Sequence, residues 1–316
     1  MRIAALADLH LVSKKPKTGF DKAGLNNKLE IIQSKLVELG DEAGLYKQYF
    51  DPSLKPSTQL DKFSDVLPLI ARKINESEVD LVVFNGDIFD VSDKPNRDTG
   101  IHDDVYEAIY QFVNLIKPPV FFLPGNTDIS SKGNLHADLT KLDGLNDFGK
   151  DKLKNDLGKI ALVFSRQGNF ALKMEDCSIF GLNSVGVRRL GLSQSENPNF
   201  LYKFIKEDSK HSIPVVLFTH HPPFRVLPRE VTDILGAGFP SQQWILTQLH
   251  GYSSDTNQPT MVVSGHCHQK LDTYNGHVRE ICLLPMLKKL EGDDSFNIGS
   301  LIELKGDEFS VSDLKI

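Results

Sequence analysis

Apolar runs of four to six residues recur along this chain, and five of them end in a polar cluster built from Asp, Asn or His. Arg2 to Ala7 leads into Asp8-Leu9-His10, and Leu81-Val82-Val83-Phe84 leads into Asn85-Gly86-Asp87-Ile88-Phe89-Asp90. Pro119 to Leu123 leads into Pro124-Gly125-Asn126-Thr127-Asp128, and Ile213 to Phe218 into Thr219-His220-His221-Pro222-Pro223. The fifth run, Thr260 to Ser264, leads into Gly265-His266-Cys267-His268. Short apolar runs rich in β-branched and aromatic residues, closed by turn formers, predict buried strands. Helical spacing appears between them. It is carried by Leu60, Phe63, Val66, Leu67, Ile70 and Ile74, then by Val105, Ala108, Ile109, Phe112, Leu115 and Ile116 before Pro118-Pro119. Phe200, Leu201, Phe204 and Ile205 predict a further helix, as do Trp244, Ile245 and Leu249. Strands alternating with helices predict an α/β fold.

Other stretches punctuate this plan. Residues 160–185 alternate as strands do, with Gln167-Gly168-Asn169 as a hairpin turn. From Leu271 onward the chain reads as short strands and turns, expected to form part of a second sheet. One domain over 1–316 is expected, with an inserted helical segment at about 13–59 (Leu25, Leu29, Ile32, Leu36, Leu39) and a long polar loop at about 129–159. The insertion leaves the sheet beside Asp8 and His10, where a substrate-selecting cap and a peripheral decoration are both open readings. His102 and His136 stand in polar stretches from which a histidine can reach the strand ends, and Arg188-Arg189 forms a pair suited to phosphate oxygens.

In open α/β sheets the crevice beyond the carboxyl ends of the strands is where ligands bind. One Gly-Asp pair there is explained by helix capping; five junctions with the same donor chemistry are not. Asp, Asn and His are the oxygen and nitrogen ligands that Mn, Fe, Zn or Co accept. Asp8 with His10, and His266 with His268, stand two residues apart, so an extended chain would direct both members of each pair to one side and Cys267 to the other. His221 follows His220 directly and on the same reasoning faces away from the site. The pattern points to a metal centre.

The order of these junctions resembles the calcineurin-like metallophosphoesterase superfamily, whose pattern runs Asp-x-His, Gly-Asp-x-x-Asp, Gly-Asn-His-Asp/Glu, a lone His and Gly-His-x-His. Here it stands as Asp8-Leu9-His10, Gly86-Asp87-Ile88-Phe89-Asp90, Gly125-Asn126-Thr127-Asp128, His220 and Gly265-His266-Cys267-His268. The resemblance implies a four-layer αββα sandwich of two mixed β-sheets flanked by helices, and two metal ions, manganese first, with iron, zinc and cobalt as alternatives. By position, Asp8, His10 and His268 would hold one metal, and Asn126, His220 and His266 the other. Asp87 would bridge them, and Asn126 would also contact substrate. Asp90, Asp128 and His221 are expected behind the ligands, Asp90 orienting His10 or His220. One position departs: Thr127 stands where many members carry the His that protonates the leaving group, and a hydroxyl is no acid at neutral pH. Thr219-His220-His221-Pro222-Pro223 is similar to the cyclic-nucleotide phosphodiesterase branch.

Two cations sharing a carboxylate make a water nucleophilic near neutral pH, so no Ser or Cys nucleophile is required. The expected activity is hydrolysis of a phosphodiester or phosphomonoester of a small or nucleotide-like molecule. A nuclease of the same fold and a scaffold that lost its metals are the alternatives. A net charge of −6 argues against a broad nucleic-acid footprint without excluding one. Hydrophobic residues at 40% and charged residues at 25% give a globular chain able to bury a sizeable core. Cys177, Cys267 and Cys282 have no close pairing, which fits a reducing compartment. The start of the chain does not read as a signal peptide, and no apolar run is long enough for a membrane span. A soluble cytoplasmic protein is expected.

Overall fold

The computed structural model describes residues 1–12, 58–90, 101–129, 135–156, 161–165, 168–185, 197–208, 212–223, 243–268, 270–288, 290 and 295–316. The first sheet contains β1 (Arg2–Leu6), β4 (Leu81–Asn85), β5 (Val120–Leu123), β13 (Asn297–Lys305) and β14 (Glu308–Lys315), in the order β14-β13-β1-β4-β5. The second contains β6 (Ala161–Phe164), β7 (Phe170–Lys173), β8 (Ser178–Leu182), β9 (Val215–Thr219), β10 (Thr260–Ser264), β11 (Leu271–Asn275) and β12 (Val278–Cys282). Its order is β11-β12-β10-β9-β8-β7-β6. Both sheets are mixed: β1, β4 and β5 are mutually parallel, as are β8, β9, β10 and β12, with antiparallel strands outside them.

Three apolar layers stack these sheets. Alternate residues of β4 divide between two of them: Val82 and Phe84 face Phe63, Ile70 and Ile74 of α1 (Leu60–Glu76) and Ile109 and Phe112 of α2 (Asp103–Leu115). Leu81 and Val83 face Phe170, Val216, Phe218 and Val263 in the layer between the sheets. On the far side, Phe180, Leu217 and Val262 pack against Leu201 and Phe204 of α4 (Asn197–Asp208) and Ile245 and Leu249 of α5 (Gln243–Thr256). A run of four apolar residues in β4 is thus what a strand buried on both faces requires. Each such side chain contributes about 1.5–3 kcal/mol by leaving water. The layers follow as helix, sheet, sheet, helix.

Two expectations are corrected. The stretch 129–159, expected as a long polar loop, contains α3 (Leu135–Asp156). Its apolar stripe is thin because several positions serve to dock it on the edge strand β5. Asn146 accepts from the Phe122 amide at 2.7 Å and donates to the Phe122 carbonyl at 3.2 Å, so it stands in for a neighbouring strand. Gly149 sits where a Cβ would lie 2.3 Å from the Val120 carbonyl oxygen. Residues that read as helix breakers are the ones that let the helix approach.

The second correction concerns the end of the chain. Among the described residues from Leu271 onward, β11 and β12 join the second sheet, whereas β13 returns to pair antiparallel with β1, and β14 follows it. Buried strands of either sheet carry the same pattern, so periodicity does not say which sheet receives them. β2 (Leu11–Val12) and β3 (Thr58–Gln59) pair in parallel, so the chain departs and returns at adjacent places. The expected helical insertion between them lies outside the described residues apart from β3. No described helix is long and apolar enough to cross a membrane.

Candidate metal centre

The parallel strands of the two sheets deliver their carboxyl ends to one place. From the first sheet, the segments after β1 and β4 run side by side: the Asp8 amide donates to the Gly86 carbonyl, His10 to Asp87, Leu11 to Ile88 and Asp90 to Leu11. The loop after β5 is tied to them through Asp128, whose two oxygens accept from the Phe89 and Gly125 amides at 2.7 Å each. Gly125 lies so close that a Cβ there would be 2.1 Å from the Asp87 nitrogen. Asn85, the last residue of β4, fastens the sheets together. Its side-chain amide donates to the carbonyls of Thr219 at 3.2 Å and Val263 at 2.9 Å, near the ends of β9 and β10.

Asp87 lies at the centre of the result. Its Oδ1 accepts from the Thr127 amide at 2.7 Å, and its Oδ2 is 3.7 Å from His10 Nε2 and 3.3 Å from His220 Nε2. On one side, Asp8, His10, Asp87 and His268 bring one donor atom each within 4.8 Å of one another. There His10 Nε2 and His268 Nε2 are 3.1 Å apart, and Asp8 Oδ1 is 3.6 Å from His268 Nε2. On the other side stand His220, His221 and His266, by the same measure. Asn126 Oδ1 is 3.2 Å from His220 Nε2. His220 Nδ1 is held at 3.0 Å by the Asn85 carbonyl, so the Nδ1–H donates and Nε2 is directed at the site.

The extended-chain premise is corrected here. Asp8, His10, Asp87, His266 and His268 have φ of 55°, 48°, 52°, 69° and 57°, in the left-handed region. Non-glycine residues adopt that region at a cost of about 1–3 kcal/mol each and cluster at functional sites. The turn it imposes sends His266 and His268 to different groups of donors. Cys267 belongs to neither group; it is buried, and the thiol of Cys282 donates to the Gly265 carbonyl at 3.2 Å. His221 does not face away from His220: both rings are buried, with centres 5.0 Å apart.

Other residues fall as follows. The Thr127 hydroxyl donates to the Phe89 carbonyl at 2.8 Å and lies 3.5 Å from His10 Nδ1. Asp90 is half-buried; the Nδ1 partner of His220 is the Asn85 carbonyl, not Asp90. His102 stands at the start of α2, in neither group of donors. The His136 side chain and Arg188-Arg189 lie outside the described residues. Sequence reasoning missed Asn85 and Ser184. The available signal for Asn85 was a polar residue ending an otherwise apolar buried strand.

The electrostatics are those of a site built for positive charge. Burial drives the Asp8 carboxyl well above the usual carboxylate range, with Asp87 adding to the rise and His220 opposing it. Asp87 is equally buried, but His220, with His10 and His266 beside it, holds its carboxyl well below that range. Burial opposes charge on His220, yet Asp87 and Asp8 push its pKa up to about 9. Asp128, buried and beside Asp87, is pushed up to about 7. The donor set suits divalent transition metals. With metal–nitrogen bonds of about 2.1 Å, imidazoles at about 90–110° on one cation have ring centres about 4.5–5.2 Å apart. The His10–His268 and His220–His266 separations are 5.0 and 5.1 Å. The residues fit.

Asn85→Ala is expected to lower stability by about 2–4 kcal/mol, because two buried carbonyls lose their donor. Urea unfolding checks this, and a loss under about 1 kcal/mol would mean that the sheet ends are held by packing alone.

A family model described as calcineurin-like phosphoesterase matches residues 1–270, and the chain belongs to that family of phosphoester hydrolases. Among solved structures it is similar to a dimetal phosphatase from Danio rerio, with 11% identity, 99% of this chain and 95% of that chain covered, and a TM-score of 0.60. It is also similar to a purple acid phosphatase from yellow lupin (Lupinus luteus) seeds. That match has 9% identity, a TM-score of 0.50 and coverage of 99% of this chain and 51% of that one. At these identities the likeness establishes the fold. Comparison with curated protein sequences gives no match.

Proposed function

We propose that this protein hydrolyses a phosphoric ester of a small or nucleotide-like molecule with two metal ions, manganese first, then iron, zinc or cobalt. Asp8, His10 and His268 hold one ion, Asn126, His220 and His266 hold the other, and Asp87 is shared. The observation that carries this reading is the position of Asp87 Oδ2 between His10 Nε2 and His220 Nε2, each with its own group of donors. When bound, two such cations activate a water and neutralise charge developing on phosphoryl oxygens.

The chain's own residues supply the rest. Asp8, His10, Asp87 and His220 are buried, whereas Asn126, His266 and His268 are half-buried. Substrate therefore approaches from the side of the latter three. The Asn126 side chain offers its oxygen to a cation and its NH₂ to a phosphoryl oxygen. The Thr127 hydroxyl, already donated to a backbone carbonyl, gives no proton to a leaving group. Either a histidine such as His102 or His136 supplies that proton, or the substrate has a leaving group that needs little protonation. Asp128 holds the Asn126 loop against the Asp87 segment.

The test is hydrolysis of bis-p-nitrophenyl phosphate and p-nitrophenyl phosphate by protein stripped of metal and reloaded with Mn²⁺, Zn²⁺ or Mg²⁺. Metal-dependent turnover is the expected result, and the ratio of the two rates chooses between diester and monoester. Preferential cleavage of single- or double-stranded DNA would replace this reading with a nuclease. Neither turnover nor bound metal would overturn it in favour of a scaffold.

A further inference from the structure

We infer that His221 is itself a metal ligand, so that one of the two cation positions carries three imidazoles. This rests on the two-metal reading above and adds to it a residue outside the set that the family pattern supplies.

Three observations on this chain lead to it. First, the rings of His220, His221 and His266 form a closed triangle, with centres 5.0, 4.6 and 5.1 Å apart. All three separations fall in the span of about 4.5–5.2 Å that imidazoles on one cation require with bonds of about 2.1 Å. Two of the ring pairs meet edge to face, at 80° and 76°, and the third is tilted at 52°. Second, one nitrogen from each ring lies within 4.8 Å of the others, with His220 and His221 buried and His266 half-buried. Third, His221 is held as a ligand is held. Ser184 Oγ accepts from the His221 amide at 3.1 Å and lies 2.8 Å from His221 Nδ1. A hydroxyl oxygen has two lone pairs, so it can accept from both the amide and an Nδ1–H, and in that tautomer Nε2 is left for a metal. His220 has the same arrangement, with the Asn85 carbonyl in the place of Ser184.

The local backbone explains how neighbours converge. β9 ends at Thr219, and the His220 carbonyl accepts from the Gly265 amide at 3.1 Å. Beyond that bond the chain leaves the sheet towards Pro222-Pro223, and strand alternation no longer governs the next side chain. The two positions then differ in chemistry: Asp8, His10 and His268 on one side, three imidazoles and the Asn126 amide on the other, with Asp87 between. Nitrogen donors favour Zn²⁺ or Co²⁺, and carboxylates suit Mn²⁺.

Protein loaded with ¹¹³Cd²⁺ tests this through ¹H–¹¹³Cd correlation spectra, which report only directly bonded ligands. The ring protons of His221 are expected to couple to the same cadmium as those of His220 and His266. In Ser184→Ala that coupling should persist with a shifted resonance, and in His221→Gln it should vanish while those of His10 and His268 remain. Two bound cadmium ions with no coupling from His221 would overturn the inference and leave the two-metal reading standing. No bound cadmium at all would instead count against the two-metal reading.

Discussion

Asp87→Asn is expected to lower kcat/KM by about 10²–10³-fold on whichever ester the protein hydrolyses, the scale seen when a group that stabilises developing charge is removed. The substitution is nearly isosteric. The amide oxygen still accepts from the Thr127 amide, as Oδ1 does at 2.7 Å, so the Asn126 loop keeps its anchor. What is lost is the negative charge between His10 and His220, and with it the carboxylate oxygen that would bridge the two proposed ions. Metal content measured by elemental analysis should fall from two ions per chain to one or fewer, with circular dichroism unchanged. Asp87→Ala should lose activity to the same degree and stability as well, because the Thr127 amide is left without its acceptor. Activity of Asp87→Asn within tenfold of the parent would show that Asp87 is not a shared ligand.

The convergence on Asp87 was legible because Asp, Asn and His recur where apolar strands end, and parallel strands of two facing sheets bring such ends together. The same holds for Asp8, Asn126, His220, His266 and His268, which the two sheets bring to one place. The residues that escaped act through the main chain or across sheets. Asn85 bonds to carbonyls 134 and 178 positions away, and nothing in a local pattern reports such a partner. Ser184 is one more serine until β8 and β9 lie side by side. The helix α3 was hidden for a related reason: Asn146 and Gly149 are tuned to the edge of β5 rather than to helix propensity. The alternation argument failed at His221, and for His266 with His268, because it presumes extended backbone. Left-handed residues break that premise, and the strain that defeats the periodicity is itself a mark of the site.

That strain bears on the second large effect, removal of metal. Asp8, Asp87 and Asp128 are three buried carboxyls close together, and five residues of the two donor groups sit at positive φ. Burial raises Asp8 well above the usual carboxylate range, and Asp87 and Asp8 raise His220 to about 9, so the site favours positive charge that divalent cations would supply. A cation that binds only the folded chain stabilises it by about 4.1 kcal/mol when free metal exceeds Kd by about 1,000-fold. For two sites that is about 8 kcal/mol, and at roughly 2 °C or less per kcal/mol for a chain of this size the Tm should fall by roughly 10 °C on chelation. Reloading with Mn²⁺ should restore it. In Asp87→Asn the chelator-induced fall should shrink to about half or less, since one site or both no longer fill. Differential scanning calorimetry with parallel elemental analysis reads both quantities. Complete metal loss with an unchanged Tm would show that packing of the three apolar layers alone holds the donors in place, and that the charge and strain at the strand ends are carried by the fold without help from the ions.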